Sequence, residues 1–267
     1  METNTTETVV NLLWTGGWDS TYALIEKSRQ PLTVRPIYIC DNRRKSQQLE
    51  IKAMKNILLA LMKKKESQAV LLPIEFVNKD EIPQNPKITQ SYNTIFAETS
   101  LGAQQEWIAR LAFKYGNLEI GTEAGNIENS PSRRAINKYC ALVKSPFGYF
   151  EIDKEKSTDC GNDVFGNLRF PIIDKTEMDM KENIQRWGYQ DIMKLIWFCH
   201  NPTFLNNPCG LCHPCEVKME NNMEDLLTEA ARWRYRHRHS FAVKLLRKGF
   251  YAINAVRYPA TSLGKRL

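Results

Sequence analysis

The sequence predicts an α/β protein whose core is a twisted parallel sheet with helices on both faces. Two observations predict this fold. Short apolar segments rich in β-branched residues alternate with segments of helical periodicity across residues 9–126, as in parallel sheets with crossover helices. Four of the seven cysteines lie between residues 199 and 215, which predicts a metal-binding helical elaboration. We therefore expect an α/β domain at residues 1–190, followed at residues 191–267 by the cysteine cluster with basic C-terminal helices packed on it.

The elements follow in order from the N-terminus. The apolar run VVNLLW, residues 9–14, predicts a buried strand that ends at two glycines. A helix follows from Asp19 to Lys27, with Asp19 or Ser20 as its N-cap. The later elements are a strand at 32–40, a helix at 46–65, a strand at 69–77 and a helix that ends at Gly116. Residues 117–126 predict a fourth strand that runs into a glycine-bearing loop. Beyond residue 131 the pattern becomes irregular, and residues 149–167 read as a polar surface loop.

The composition favours a globular chain over a disordered or membrane protein. Of the 267 residues, 42% are hydrophobic and 25% are charged, so a sizeable core can form. No apolar run approaches the length of a membrane span, and the polar, acidic N-terminus lacks the features of a signal peptide. We therefore expect a cytoplasmic location and no membrane partner.

The net charge of +7 is concentrated at the C-terminus, where residues 231–267 hold ten Lys/Arg and no Asp/Glu. Trp233, Tyr235 and Phe241 interleave with arginines there, as in proteins that bind single-stranded nucleic acid. The alternative is an amphipathic helix whose aromatic side chains face the core or a partner subunit, since apolar residues recur at helical spacing from Leu226 to His237. We favour the amphipathic helix.

The turn between the first strand and the first helix is the candidate anion-binding segment. It contains neither the dinucleotide-binding glycine pattern nor the Walker A pattern. Its residues, which we call the glycine loop, are Thr15, Gly16, Gly17, Trp18, Asp19, Ser20 and Thr21. Glycines let the backbone approach a ligand, while free N–H groups and the positive end of a helix favour phosphate. Asp19 would repel a bare anion, so it indicates either a Mg²⁺-bound phosphate or an N-cap. The competing interpretation is an ordinary strand-to-helix turn.

Two further segments are expected to meet the glycine loop. Asp41 follows the second strand, and Gly121 to Glu123 follow the fourth. Ligands of parallel sheets lie outside the carboxyl ends of the strands. The three segments are therefore predicted to converge on one crevice.

The cysteine cluster has the spacing C-x9-C-x2-C-x2-C, formed by Cys199, Cys209, Cys212 and Cys215. Two-residue gaps let successive thiolates bind one ion in a tight turn, and Gly210 suits such a turn. Four sulfur ligands favour structural Zn²⁺. A [4Fe–4S] cluster, or a site in which His200 or His213 replaces one cysteine, is the alternative.

The glycine loop resembles the [ST]-G-G-x-D-S-T loop of the ATP pyrophosphatase (PP-loop) superfamily. Together with the cysteine cluster, it makes residues 9–216 similar to the 7-cyano-7-deazaguanine synthase family. The resemblance implies an adenine nucleotide alpha hydrolase-like fold, a homodimer, and ATP, Mg²⁺ and Zn²⁺ as ligands. It also implies an ATP-dependent ligase that adenylates 7-carboxy-7-deazaguanine, forms the amide with ammonia and dehydrates it to the nitrile with a second ATP.

The resemblance assigns roles to residues of this chain. It implies Asp19, Ser20 and Lys175 as catalytic groups. The nucleotide would be held by the glycine loop together with Asp41, Arg43 and Gly121, and Arg44 could also neutralise phosphate charge.

One segment departs from the family pattern. Ser132 and Arg133 stand where the family has the Asp and Cys of a segment thought to bind the deazaguanine. The acids that could substitute for that Asp are Glu98, Glu106, Glu123 and Glu128. A changed acceptor, such as a protein amine or a tRNA, is an alternative to ammonia, and related proteins occur in bacterial defence gene sets. Two different functions also fit the sequence, namely a tRNA-modifying PP-loop enzyme and a non-catalytic nucleotide-binding protein with a zinc knuckle.

Overall fold

The computed structural model describes residues 9–41, 43–125 and 130–257, which form two compact units. The first unit holds the chain up to Trp14, Asp19–Ile39 and Leu61–Tyr189. The second holds Thr15–Trp18, Cys40–Ala60 and the chain from Gln190 onward. None of the helices in the described ranges is long and apolar enough to cross a bilayer.

The strands form one sheet in the order β3-β2-β1-β5-β8-β7-β6, and β4 pairs separately with β2. Their bounds are β1 Val9–Leu13, β2 Thr33–Cys40, β3 Val70–Leu71, β4 Glu75–Asn78, β5 Leu118–Glu119, β6 Ala141–Lys144, β7 Phe150–Asp153 and β8 Leu168–Phe170. The predicted α/β class is confirmed, because β1, β2, β3, β5 and β8 pair in parallel.

The described helices alternate with these strands and then continue beyond them. Their bounds are α1 Trp18–Ser28, α2 Gln47–Leu61, α3 Pro86–Thr99, α4 Gln104–Tyr115, α5 Pro131–Tyr139, α6 Asp159–Phe165, α7 Glu177–Trp187, α8 Gln190–Met193, α9 His213–Glu220, α10 Glu229–Arg236 and α11 Phe241–Arg257. Helix α1 begins one residue before the predicted start, so Asp19 and Ser20 lie in its first turn and do not precede it. The predicted end of α4 is confirmed, since Gly116 caps it with φ +74°.

The central part of the sheet is buried. Leu12 and Trp14 are fully buried, and β1 runs in register with β2 from Val9 opposite Thr33 to Leu13 opposite Ile37. The single strand predicted at 69–77 is instead the two strands β3 and β4. Pro73 lies between them, and a proline cannot donate a ladder hydrogen bond.

The prediction of a purely parallel sheet is wrong at one edge. Strand β7 pairs antiparallel with both β6 and β8, so the sheet is mixed. The prediction of a polar loop at residues 149–167 is also wrong, since this segment contains β7 and α6. Four of its hydrophobic side chains become buried, namely Tyr149, Ile152, Val164 and Phe165. Burial of these four side chains outweighs the polarity of their neighbours.

Helix α3 was not foreseen, although its start carries a clear signal. Asn85 accepts a hydrogen bond from the backbone N–H of Ile88, and Pro86 occupies the first turn. Tyr92 and Ile95 of this helix belong to the main core of the first unit.

Candidate functional site

The cysteine cluster can hold a single metal ion. The Sγ atoms of its four residues all lie within 4.8 Å of one another, and all four side chains are buried. The Sγ of Cys212 is 3.5 Å from that of Cys215 and 3.8 Å from that of Cys199, and the Sγ atoms of Cys209 and Cys215 are 4.0 Å apart. Zinc–sulfur bonds of ~2.3 Å place tetrahedral ligands ~3.8 Å apart, so the donor set fits one shared ion.

The distances between the four sulfur atoms bear on the two alternative sites, a [4Fe–4S] cluster and a site in which a histidine replaces one cysteine. A [4Fe–4S] cluster attaches each thiolate to a different iron and so holds the sulfurs farther apart than one shared ion does. Because the four sulfurs complete a tetrahedral set, neither His200 nor His213 is needed as a ligand. His200 and His213 are both exposed, and His213 is the first residue of α9.

The turn between Cys209 and Cys212 is built around Gly210. Its φ is +75°, and a Cβ at this position would lie 2.1 Å from the carbonyl oxygen of Ala231 in α10. Backbone N–H groups point at the sulfurs, since Leu211 donates to Cys209 Sγ at 3.3 Å. Such N–H groups favour a thiolate over a thiol, as metal binding requires.

Helix α10 also contacts the turn between Cys209 and Cys212, through hydrogen bonds from Arg234. Arg234 donates from Nε to the carbonyl oxygen of Cys209 at 2.7 Å and from Nη2 to that of Pro208 at 3.0 Å. Ala231 of α10 and Val243 of α11 are buried against the cysteines. Arg234 therefore supports the cysteine cluster, a role that its place in a basic tail did not indicate.

The first half of the glycine loop lies in the same unit as the cysteines and is joined to them by Trp197. Its backbone N–H donates to the carbonyl oxygen of Gly16 at 2.9 Å, and its Nε1 donates to the carbonyl oxygen of Cys199 at 2.9 Å. Gly16 has φ +69°, and a Cβ there would lie 2.8 Å from Met54 Cγ. The loop therefore needs glycine at this position.

Trp18 is the last residue of the first half of the glycine loop, and its indole N–H is a hydrogen-bond donor without a described acceptor. Its indole Nε1 is buried and has no hydrogen-bond partner among the described residues. The buried Lys218 of α9 places Nζ 4.9 Å from the centre of the Trp18 ring. Both groups give the segment positive electrostatic character, which favours an anion.

The second half of the glycine loop, Asp19 to Thr21, lies in the first unit and follows Trp18 in the first turn of α1. Gly121 packs against it so closely that a Cβ would lie 3.0 Å from the backbone N of Ser20. The hydroxyl of the fully buried Thr21 accepts from Trp14 Nε1 at 3.0 Å. The structure thus gives Gly121 and Thr21 packing roles, whereas their predicted contacts with nucleotide stay predictions, as does that of Thr15.

The segment after β2 is held by its own hydrogen bonds. Asp41 Oδ1 accepts from the backbone N–H of Arg43 at 3.0 Å, and Arg44 Nε is 2.8 Å from Glu50 Oε1. Glu50 is 3% exposed and also accepts from Ser46 Oγ at 2.6 Å. Arg44 is therefore already paired, while the side chain of Arg43 is exposed.

The first unit contains buried charged groups that no sequence pattern indicates. Lys27 Nζ is 2.9 Å from Glu119 Oε1, and both side chains are at most 5% exposed. Burial raises the pKa of Glu119, and Lys27 opposes that shift. Lys175 Nζ lies 3.5 Å from Glu26 Oε1 and donates to the carbonyl oxygen of Pro171 at 2.9 Å. Burial raises the pKa of Glu26, and Lys175 opposes it.

Two of the four glutamates that could replace the Asp of the deazaguanine-binding segment already form ion pairs. Glu98 pairs with Lys138, and Glu106 pairs with Arg110 at 2.9 Å. Glu123 Oε1 lies over Gly125, and Glu128 lies outside the described residues.

The prediction that the aromatic residues of α10 face the core is wrong for Trp233, whereas the alternative that they face a partner subunit stays a prediction. This side chain is 51% exposed and stacks on His237, with ring centroids 4.6 Å apart. Phe241 is 83% exposed. Only Leu227 and Ala231 are buried here, because α10 spans no more than eight residues and presents one narrow apolar side.

Comparison with known proteins adds nothing to this geometry: no protein-family model and no curated protein matches the chain.

Proposed function

We propose that this protein is an ATP-dependent ligase of the PP-loop type that adenylates a deazaguanine-like carboxylic acid. The observation that carries the proposal is the glycine loop, which connects the carboxyl end of β1 to the start of α1. Its positive-φ Gly16, the Trp18 N–H that no described residue accepts, and its position before a helix are all features that suit a bound pyrophosphate group.

The proposed reaction uses the loop as a phosphate cradle. The acid's oxygen attacks the α-phosphorus of Mg-ATP, pyrophosphate leaves and an acyl adenylate forms. Ammonia then attacks the acyl carbon, AMP leaves and the amide is released. The amide oxygen would then attack the α-phosphorus of a second ATP with loss of pyrophosphate and a proton, after which loss of AMP and a second proton yields the nitrile. Backbone N–H groups at the loop stabilise negative charge as pyrophosphate departs.

Individual residues would act as follows. Asp19 holds Mg²⁺, and Ser20 donates to a phosphate oxygen. Lys175 neutralises phosphate charge. For this, its Nζ has to leave the ion pair with Glu26 and pair with the nucleotide instead. Arg43, exposed after β2, is available for the same purpose. The four cysteines hold a structural Zn²⁺ that stiffens the turn to which Trp197 ties Gly16.

The experiment is mass spectrometry of nucleotides and base after incubation with Mg-ATP, 7-carboxy-7-deazaguanine and ammonium. We expect AMP and pyrophosphate in amounts that depend on the acid, followed by the amide and then the nitrile. Ser20→Ala should lower the rate of AMP formation. Ser28→Ala is the matched control, because this serine lies at the other end of α1 and donates to the carbonyl oxygen of Ile25 at 2.8 Å. AMP formation that does not depend on the acid, or none at all, would refute the proposal.

A tRNA acceptor is the second candidate, favoured by the exposed aromatic and basic groups of α10 and α11. Trp233 and Phe241 are exposed, and Arg236 is 62% exposed. Bases stack on such rings while cations contact phosphates. Fluorescence anisotropy with unmodified tRNA should show affinity that falls steeply with salt and is reduced in Trp233→Ala. Equal affinity of the variant and the wild type would remove this candidate.

A further inference from the structure

The cysteine cluster is connected to the first half of the glycine loop, Thr15 to Trp18, by two separate segments. One is the short segment from Trp197 to Cys199, and the other is helix α9, which contains Cys215. The first half of the glycine loop and both segments belong to the second unit. Each segment therefore carries a cysteine of the cluster and also contacts the loop.

Trp197 forms the first connection. Its ring packs against the buried cysteines, and its indole Nε1 donates to the carbonyl oxygen of Cys199 at 2.9 Å. Its backbone N–H donates to the carbonyl oxygen of Gly16 at 2.9 Å. A Cβ on Gly17 would lie 3.8 Å from the carbonyl oxygen of Trp197, so the segment also packs against the next residue of the loop. One residue thus bonds to both the cluster and the loop backbone.

Lys218 of α9 forms the second connection. The helix begins directly after Cys212, whose carbonyl oxygen accepts from the backbone N–H of Cys215 at 2.9 Å. Lys218 follows Cys215 by three residues and so lies on the same side of the helix. Its side chain is buried, and its Nζ is 4.9 Å from the centre of the Trp18 ring. Contact between a desolvated ammonium group and an indole face is stabilising.

Both connections begin at residues that a metal ion would hold in place. One ion shared by four sulfurs fixes the distances and angles between them, and the free energy of metal binding orders the segments that carry the ligands. Gly16 and Gly17 add no side chains, so contacts from neighbouring segments determine the backbone conformation there. The loop is therefore sensitive to the order of the two segments that contact it.

We infer that Trp197 and Lys218 are positioning residues, which place the glycine loop for anion binding when the cysteine cluster holds its metal. Metal and nucleotide then bind cooperatively, and each strengthens the binding of the other by the same factor. The inference rests on the proposed function in one respect, since it takes Mg-ATP as the ligand of the loop.

Two features favour this role over a cluster that stabilises only its own turn. Trp197 directs one N–H group to the cluster and the other to the loop. Lysine side chains usually keep the ammonium group in water, whereas that of Lys218 is buried over the ring of Trp18. An aliphatic side chain would fill the same space without the cost of desolvating a charge.

The first test is NMR of full-length protein labelled with ¹⁵N-tryptophan, without nucleotide. The chain has six tryptophans, so single Trp-to-Phe substitutions assign their indole N–H signals. We expect removal of Zn²⁺ by a chelator to shift the indole signal of Trp18. Zinc-loaded Trp197→Phe and Lys218→Met should show a shift in the same direction while they retain about one Zn²⁺ per chain. Lys218→Arg, which keeps the cation, should return the signal toward its wild-type position.

The zinc-loaded variants separate loss of a connection from loss of folding, because their cysteine cluster is intact. Trp233→Phe is the matched control for Trp197→Phe. Trp233 lies in the same unit, but its ring is exposed and stacks on His237. The control should match the wild type in its Trp18 signal and in its zinc content.

The second test is isothermal titration calorimetry of the same zinc-loaded proteins with Mg-ATP. Trp197→Phe and Lys218→Met should bind Mg-ATP at least about fivefold more weakly than the wild type, which is the lower end of typical coupling factors between two sites. Trp233→Phe should bind it as the wild type does.

Three outcomes would overturn the inference. They are an unchanged Trp18 signal in zinc-loaded Trp197→Phe and Lys218→Met, loss of zinc from these variants, and Mg-ATP affinities equal to that of the wild type. Failure of the zinc-loaded wild type to bind Mg-ATP, or binding without acid-dependent formation of AMP, would instead refute the proposed function. The NMR result would in that case still decide whether the two residues position the loop.

Discussion

Replacing Gly210 by alanine tests how the cysteine cluster is built. The residue lies between two cysteines of the cluster, with φ +75°. An added Cβ would lie 2.1 Å from the carbonyl oxygen of Ala231 and 2.8 Å from its carbonyl carbon. These are backbone atoms of a fully buried residue in α10, so no side-chain rotation can relieve the contact.

The magnitude has two parts. A left-handed conformation costs a non-glycine residue ~1–2 kcal/mol, and overpacking a filled site costs ~1–3 kcal/mol. The sum is roughly 2–5 kcal/mol. If the whole cost falls on the metal-bound state, the affinity for Zn²⁺ drops by roughly thirtyfold to a few thousandfold, since ~1.4 kcal/mol corresponds to a factor of ten.

The assay is competition for Zn²⁺ against a chromophoric chelator at one fixed pH, because metal binding releases thiol protons. Gly188→Ala is the matched control. Gly188 also has φ +75°, but a Cβ there would meet nothing within 4 Å. The control should lose ~1–2 kcal/mol of stability from strain alone and keep its affinity for Zn²⁺. Equal zinc affinities in the two variants would refute the account of the turn.

Three further predictions concern the metal, the buried ion pair and the loop. Cys212→Ser should lower bound zinc, measured by plasma emission spectrometry, from about one ion per chain; full retention would contradict a four-sulfur site. Lys27→Met should cost ~3–5 kcal/mol at pH 8, because it leaves the Glu119 carboxylate buried without its cation. Burial raises the folded-state pKa of Glu119, so folding favours the protonated carboxyl group. The loss of unfolding free energy in Lys27→Met, measured by urea unfolding, should therefore be smaller at pH 5 than at pH 8. An equal loss at the two pH values would contradict this account of the ion pair. Gly16→Ala should weaken Mg-ATP binding in calorimetry, because backbone strain and the contact with Met54 displace the glycine loop. Unchanged affinity for Mg-ATP would show that the glycine loop does not bind the nucleotide.

Several features of this protein could be predicted from local sequence. Strands β1 and β2 are apolar runs bounded by turn residues, and Gly116 ends α4 where a left-handed residue was expected. The cysteine spacing predicted one cluster, and the structure brings all four sulfurs together. Such features depend on neighbours only a few residues away, so a pattern of side-chain types is sufficient to identify them.

Other features depend on which distant segments meet, and only the tertiary structure decided them. The antiparallel edge formed by β6 and β7 exists because a few apolar side chains within a polar segment are buried in the core of the first unit. Trp197 joins Gly16 to Cys199, residues that are far apart along the chain. The buried ion pair of Lys27 and Glu119 belongs to the same class, because a charged residue in a sequence carries no record of which groups face it once it is folded. Periodicity reports which side of an element is apolar, whereas pairing across the fold depends on packing that no local segment encodes.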